Sequence, residues 1–314
     1  MSGTSNNRRR IILHCGAPKT GTTSLQHFFY DHADALEHAG TYVPKRLFNK
    51  GDVDSLHRHM LAMLVDQNYK APLAAARDRL RHLFHSPHIH TLLISNEDLL
   101  GSPVASNHDS FFPHAHKMIP RLGELLAGYE VEVRYFIRAY AGFLAACYVQ
   151  DLRRGATSTL DSYLAGIDAD TVNWMRCVGL LQETFGARNV AIFDHASLLA
   201  SPQATVEMAF GDIIPALPPF SAKGYGKNRS VSLSTAHAMQ RSNSFTASLP
   251  PAWRSIARSF LRRTYFALRA HRDQSRSRPK VVLPDTAAAD FSRRYRQHYA
   301  ALDVTLPKAT TPAP

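Results

Sequence analysis

One stretch near the amino terminus limits the fold of this chain more than any other. Residues 11–14 are mostly apolar, a loop bounded by Gly16 and Gly21 follows, and residues 25–36 form an amphipathic segment. This order is typical of a strand, a tight loop and a helix, and both glycines permit backbone geometry that a Cβ would disfavour. The amides of residues 19–23 would then lie at a helix N-terminus, where N–H groups and the helix dipole favour a phosphate.

The position of the lysine separates this loop from the usual nucleotide-binding P-loop. The spacing of the glycines matches Gly-x-x-x-x-Gly-Lys-[Ser/Thr], but Thr22 stands where the lysine is expected and the lysine lies three residues earlier, at Lys19. In nucleoside triphosphate enzymes that lysine reaches the β- and γ-phosphates, and the next hydroxyl holds Mg²⁺. A lysine at the crown of the loop instead suits a shorter anion, with one phosphate in the loop.

Residues 18–23, Pro-Lys-Thr-Gly-Thr-Thr, closely resemble the Pro-Lys-[Ser/Thr/Gly]-Gly-Thr-Thr motif of sulfotransferases. In that family the motif binds the 5′-phosphosulfate of 3′-phosphoadenosine-5′-phosphosulfate (PAPS). The resemblance therefore implies a PAPS-dependent sulfotransferase that needs no metal, with PAPS as co-substrate. The alternative is a Gly/Thr-rich turn that precedes a helix by chance. The residues that the resemblance assigns to the cofactor here are Gly16, Pro18, Lys19, Thr20, Gly21, Thr22, Thr23 and Ser24.

A second similarity to the family surrounds Arg138. Residues 133–138 are predicted to form a strand that ends in this arginine, and residues 143–150 lie in the next helix. In the family, such an arginine and a serine eight residues later contact the 3′-phosphate, and bidentate pairing suits an arginine for this role. Here the serine position is Ala146, so either another hydroxyl substitutes or the 3′-phosphate is bound more weakly. A surface arginine at a strand end is the alternative.

Sulfuryl transfer also needs a general base near the acceptor hydroxyl. Glu97 is our first candidate, because it follows a predicted buried strand and related bacterial sequences carry Ser-x-Glu at this place. His59 is the second candidate, since histidine titrates near neutrality and many family members use one. Glu97 could instead cap a turn or pair with a basic residue, and His59 could lie on a helix surface. Lys19 is expected to stabilise the leaving phosphate.

Residues 227–234, Lys-Asn-Arg-Ser-Val-Ser-Leu-Ser, look like the Asn-x-Ser-hydrophobic-Ser segment of bacterial sulfotransferases. The resemblance implies that Arg229 and Ser230 contact the cofactor, with the basic side chains as donors to the adenosine or its phosphate. The alternative is a helix cap, in which Ser232 or Ser234 opens the next helix.

The order of the elements predicts an α/β fold. Strands at 10–14, 90–95, 131–137 and 190–193 alternate with helical segments, which is typical of a parallel sheet covered on both faces. The ligand site of such a sheet lies beyond the carboxyl ends of its strands, where the phosphate loop, Glu97 and Arg138 all fall. We predict a P-loop-type sheet flanked by helices, with a helical C-terminal region. The predicted helices are 22–38, 56–67, 71–84, 113–127, 142–153, 171–185, 201–210, 232–243 and 285–302.

We predict four regions along the chain. Residues 1–8 are disordered, residues 9–245 form the α/β domain, residues 246–304 form a helical extension packed on that domain, and residues 305–314 are a flexible tail.

Charge and composition limit the partners. The formal net charge is +12 and the sequence pI is about 9.8, so acidic partners are favoured. Nucleic acid is not expected, because the sequence contains no zinc finger, RNP motif or basic leucine-zipper pattern. The three cysteines fit a reducing compartment, no apolar stretch is long enough to span a membrane, and we therefore expect a cytoplasmic protein. The 17 histidines lack zinc-site spacing, so no metal is expected.

Residues 253–272 form a basic amphipathic pattern, with Trp253, Phe260 and Leu268 on one side. The segment could contact an anionic membrane or a polyanionic glycan through its arginines, with the aromatic side chains at the interface. The alternative is a helix that packs its apolar stripe on the core and leaves a solvated basic face.

The reaction that the resemblance implies moves a sulfuryl group from PAPS to a hydroxyl, or less readily an amine, of a carbohydrate, a lipid-linked glycan or a small metabolite. Two other functions stay open. A P-loop kinase would use ATP and Mg²⁺, but Thr22 and the lack of a clear strand ending in aspartate argue against it. A non-catalytic binding module is the other, and Ala146 is the observation that favours it.

Overall fold

A five-stranded parallel sheet forms the centre of the computed structural model. β1 (Arg10–His14) is its middle strand, and the order is β2-β3-β1-β4-β5. The chain passes from one side of β1 to the other between β3 and β4, and ligands bind such sheets in the crevice where the order reverses. The other strands are β2 (Thr41–Tyr42), β3 (Thr91–Ser95), β4 (Glu130–Ile137) and β5 (Val190–Asp194). The structure describes residues 9–44, 60, 62–63, 66–84, 86–103, 111–214, 218–220, 231–263 and 279–305.

Helices cover both faces of the sheet. Successive strand residues point to opposite faces, so Ile11 and Leu13 belong to one buried cluster and Ile12 to a second one. Helices contribute buried side chains to both clusters, which confirms the predicted fold class and the helical C-terminal region. The helices are α1 (Thr22–Asp31), α2 (Ala33–His38), α3 (Lys70–Leu83), α4 (Ala115–Leu126), α5 (Tyr140–Arg154), α6 (Leu160–Ala165), α7 (Trp174–Phe185), α8 (His195–Ala200), α9 (Pro202–Phe210), α10 (Leu233–Ala247), α11 (Pro251–Arg263) and α12 (Asp285–Ala301).

The middle strand is paired along its whole length. β1 runs in register with Thr91–Ser95 of β3 and with Glu130–Arg134 of β4. A strand buried on both faces needs apolar residues at successive positions, which explains the run from Ile11 to Leu13. β4 continues three residues beyond this register and pairs there with β5. The carboxyl ends of β1, β3, β4 and β5 therefore lie along the same edge of the sheet.

The structure corrects the predicted helices in several places. The helix predicted over 22–38 is two helices, because the backbone of His32 leaves the helical region at φ −116°. α7 starts at Trp174 and not at residue 171, because the side chain of Asn173 accepts the N–H of Met175 as an N-cap. α6 and α8 were not predicted; the side chains of Thr159 and Asp194 cap them. The helix predicted over 56–67 lies largely outside the described residues.

The C-terminal helices pack on α5. Asn243 of α10 donates to the carbonyls of Leu152 and Ala156 at 2.7 and 2.8 Å. From α12, the Nδ1 atom of His298 lies 2.8 Å from the hydroxyl of Tyr140. These bonds hold both helices against the one that follows β4. None of the helices within the described ranges combines the length and the apolar character needed to cross a membrane.

Candidate active site

The loop after β1 lies so close to β4 that residue 16 has no room for a side chain. A Cβ on Gly16 would lie 2.9 Å from the backbone nitrogen of Phe136. The next residue, Ala17, donates its N–H to the carbonyl of Phe136 at 3.0 Å. The first half of the loop is therefore fixed on β4, the strand that leads to Arg138.

The crown of the loop has left-handed backbone at two positions. Lys19 has a φ of 69° and Gly21 a φ of 89°. Glycine adopts this region readily, whereas a residue with a Cβ gives up about 1 kcal/mol or more. A strained non-glycine residue persists only where its surroundings over-determine it, and such residues cluster at functional sites. Turns of this kind also point successive N–H groups into a concavity that suits an anion.

The threonines of the loop have different roles. Thr20 is buried, and its Oγ1 donates to the carbonyl of Ala17 at 2.6 Å. Its hydroxyl therefore stabilises the loop from inside. Thr22 opens α1 directly after Gly21, whose place at the N-cap carries no side-chain cap. The positive end of the helix dipole therefore adjoins the loop.

Arg138 reaches from the end of β4 to the crown of this loop. Its Nη1 donates to the carbonyl of Lys19 at 2.8 Å. The guanidinium also lies against Gly142 of α5, where a Cβ would be 3.3 Å from Nε. Burial lowers the pKa of Arg138. The loop and Arg138 were predicted to meet because both follow the carboxyl ends of parallel strands, and the structure brings them together.

Glu97 lies at the end of β3 and contacts α1. Its Oε2 accepts a hydrogen bond of 2.6 Å from Nε2 of Gln26, which also lies 3.4 Å from the carbonyl oxygen of Ser95. Glu97 opens a short 3-10 helix, Glu97–Leu100, which the side chain of Asn96 caps. Because Gln26 lies on α1, which begins at the end of the loop after β1, this bond ties the carboxylate to that loop. The role of Gln26 was not predicted from the sequence.

A further cation accompanies Lys19. Burial lowers the pKa of Lys19, and the charge of Arg153 lowers it further, whereas Cys147 and Glu97 oppose the shift. Burial also lowers the pKa of Arg153. Partly buried cations that influence one another raise the local positive potential and concentrate anions. Arg153 was not predicted, although it shares a partly exposed face of α5 with Gly142, Ala146 and Gln150 at helical spacing.

His195 was also missed. It follows β5, and its Cδ2 would lie 3.7 Å from a Cβ on Gly21. Burial lowers the pKa of His195 to about 4, and the charge of Arg138 contributes to this shift. The imidazole is therefore neutral at neutral pH. The rule that located Glu97 and Arg138, a polar residue within two positions of the end of a strand, would have found His195 if it had been applied to the predicted strand 190–193.

Several predicted residues lie where the structure gives no description. His59, Arg229 and Ser230 are outside the described residues. Nearby, the Oγ of Ser232 accepts the N–H of Thr235 at 3.1 Å, so this serine is the helix cap that the sequence offered as an alternative. Among the residues that the structure describes, no group of three or more His, Cys, Asp or Glu side chains could hold a metal ion.

Among the comparisons with known proteins, the search of solved structures gives a distant similarity. No protein-family model and no curated protein matches the sequence. A solved structure of a sulfotransferase from Alicyclobacillus acidocaldarius is similar to this chain at a TM-score of 0.40 and 14% sequence identity, over 77% of this chain and 98% of that one. A similarity at this level assigns no residue and no activity.

Proposed function

We propose that this chain is a sulfotransferase that moves a sulfuryl group from PAPS to the hydroxyl of a carbohydrate, a glycolipid or a small metabolite. The observation that carries the proposal is the crown of the loop, where Lys19 is held at a φ of 69° and Arg138 bonds to its carbonyl. A lysine at the crown suits a single phosphate that bears a leaving group. Thr22, at the usual lysine position, disfavours a triphosphate.

The charges around the loop fit a nucleotide with phosphates at two positions. The loop amides and the start of α1 would hold the 5′-phosphosulfate. Arg138 and Arg153 supply guanidinium groups for the 3′-phosphate, for which bidentate pairing is suited. Ala146 lies on the same helix face, so we expect this phosphate to be held by cations with little help from hydroxyl groups. When bound, PAPS supplies the sulfuryl group.

In the proposed transfer, the acceptor oxygen forms a bond to sulfur while the bond from sulfur to the 5′-phosphate oxygen breaks. Lys19 would stabilise the charge that develops on this leaving oxygen. Glu97 would accept the proton of the acceptor hydroxyl. Gln26 would orient the carboxylate through the bond to its Oε2. The described residues thus offer a cation for the leaving group and a base for the acceptor.

Transfer can be measured with isotope-labelled PAPS and a panel of sugar, glycolipid and small-molecule acceptors. We expect labelled product with the natural protein and a rate about 10²-fold to 10³-fold lower with Lys19→Ala. Nucleotide preference separates the kinase alternative. The 3′,5′-bisphosphate should raise the melting temperature without Mg²⁺, whereas stabilisation by ATP and Mg²⁺ alone would contradict the proposal.

A binding module without activity is the second candidate, and Ala146 is the observation that favours it. A protein that binds the bisphosphate but gives no labelled product across the panel supports this function. In that case Glu97→Gln would leave nucleotide binding and the cellular role unchanged.

A further inference from the structure

α11 exposes the apolar side chains that could have packed on the core. Trp253, Ile256 and Phe260 are 65%, 62% and 65% exposed. Their spacing of three and four residues places them on one side of the helix. Phe245 of α10 lines the same cleft as Phe260 and is 69% exposed. These four residues form what we call the apolar face. The sequence interpretation in which the apolar stripe of residues 253–272 packs on the core is wrong for Trp253, Ile256 and Phe260.

The outward direction of the apolar face follows from how α11 is anchored. Leu261 packs against the larger buried cluster, and Ala257 is half-buried between the two helices. Arg254 turns back, and its Nη2 donates to the carbonyls of Ala247 and Leu249 at 2.8 and 3.1 Å. These contacts hold one side of α11 against the rest of the fold. The side that carries Trp253 faces outwards.

The sequence around α11 carries only positive charge. From residue 241 to residue 272 the sequence contains seven arginines and neither aspartate nor glutamate. A short helix with large apolar residues on one side and arginines elsewhere is typical of helices that lie in the plane of a membrane surface. Tryptophan and phenylalanine suit the boundary between headgroups and acyl chains, and anionic lipids attract the arginines.

We propose that the apolar face docks this protein on an anionic lipid bilayer, with α11 lying flat at the surface. The 13 residues of α11 are too few to span the bilayer. A soluble polyanion would pair with the arginines but leave the four apolar side chains in water. A second copy of the chain would cover them, but a two-fold interface would place two arginine-rich segments against each other. An anionic lipid surface would cover the apolar side chains and would also pair with the arginines.

The test uses the full chain and sedimentation with phosphatidylcholine vesicles, with and without phosphatidylserine. We expect binding to the anionic vesicles that weakens as salt is raised, because screening shortens the reach of the charges. The chain has two tryptophans, and Trp174 is fully buried. A blue shift of emission on binding therefore reports that Trp253 has entered an apolar medium.

Variants locate the surface. Replacing Trp253, Ile256 and Phe260 with serine should lower the partition coefficient at least about tenfold, since each removes several buried carbons. Phe260→Ser alone should give a smaller loss and serves if the triple variant does not fold. Leu199→Ser, which changes a 62% exposed residue on α8, should bind as the natural protein does. Lys19→Ala should also bind normally, because docking does not depend on the proposed transfer.

Three results would overturn the proposal. One is the absence of binding to anionic vesicles at low salt. Another is equal binding by the natural protein and the triple serine variant. The third is a dimer in sedimentation equilibrium that the triple variant loses, which would show that the apolar face joins two copies of the chain.

Discussion

Arg138 and Lys19 are 119 residues apart in sequence, and the guanidinium of one donates a 2.8 Å hydrogen bond to the backbone carbonyl of the other. This bond joins the end of β4 to the crown of the loop after β1. It also holds the carbonyl of a non-glycine residue whose backbone is left-handed. Arg138 therefore maintains the shape of the loop and, in the proposed function, contributes charge to the nucleotide site.

The first prediction separates the Lys19 side chain from its backbone. Lys19→Ala keeps the left-handed strain and removes the ammonium group, so the melting temperature should change little while transfer falls about 10²-fold to 10³-fold. Lys19→Gly also removes the ammonium group but relieves the strain, and should stabilise the fold by about 1 kcal/mol. Calorimetry and labelled-product assays on both variants check this. Retained transfer in either variant would contradict the role given to the ammonium group.

The second prediction concerns the base. Glu97→Gln keeps the shape of the side chain and its contact with Gln26 but removes the carboxylate, so kcat should fall about 10²-fold to 10⁴-fold. Binding of the 3′,5′-bisphosphate, measured by titration calorimetry, should stay close to that of the natural protein. Gln26→Ala should lower kcat less than Glu97→Gln does, because it frees the carboxylate without removing it. If Glu97→Gln kept the kcat of the natural protein, the base would be another residue, and His59 would be tested next.

The sequence was sufficient to predict the fold class and the meeting of three segments at one sheet edge. Both follow from rules that act locally. A run such as Ile11–Leu13 identifies a buried strand, glycines identify a tight loop, and parallel strands bring their carboxyl ends to the same side. Gly16 illustrates the limit of such rules. Its φ is not positive, and a glycine is required at this position because Phe136, on a strand distant in sequence, leaves no room for a Cβ.

The remaining features depend on contacts between distant segments, which a single sequence does not reveal. Thr20 lies within the sequence motif of the site, yet its hydroxyl donates to the carbonyl of Ala17 inside the loop. The effect of Arg153 on Lys19 depends on how α5 crosses the sheet edge. The exposure of Trp253 depends on which side of α11 meets α10, and an amphipathic pattern alone fits either arrangement.

The third prediction tests whether α5 faces the 3′-phosphate. Ala146→Ser would place a hydroxyl on the partly exposed face of α5 that also carries Gly142, and Gly142 lies against the guanidinium of Arg138. A hydrogen bond to a charged group contributes about 1.5–3 kcal/mol, so the bisphosphate should bind about tenfold or more tightly. Binding of adenosine 5′-monophosphate, which lacks the 3′-phosphate, should not change. Equal gains for both nucleotides would place the 3′-phosphate elsewhere.

The fourth prediction concerns acid stability and arises from His14 at the end of β1. The imidazole is fully buried, shares a 2.7 Å hydrogen bond with Ser95, and has aromatic neighbours on the other side. Its Nε2 has no partner among the residues that the structure describes. Burial lowers the pKa of His14 to about 4, against an opposing effect of Glu97. Protonation in the folded state would place an uncompensated charge in the core.

Between pH 6.5 and about pH 4 the unfolded chain therefore binds a proton at His14 that the folded chain does not. The free energy of unfolding should be fully retained above pH 6.5 and should decrease by about 3 kcal/mol as the pH falls through this window. His195, whose pKa is also lowered to about 4, adds to the loss of unfolding free energy in the same window.

Urea unfolding at a series of pH values should show that the free energy of unfolding declines less steeply with falling pH in His14→Leu. His116→Gln, which changes an exposed histidine, should leave the decline unchanged. The same slope for His14→Leu and the natural protein would mean that His14 takes up its proton equally in the folded and unfolded chains.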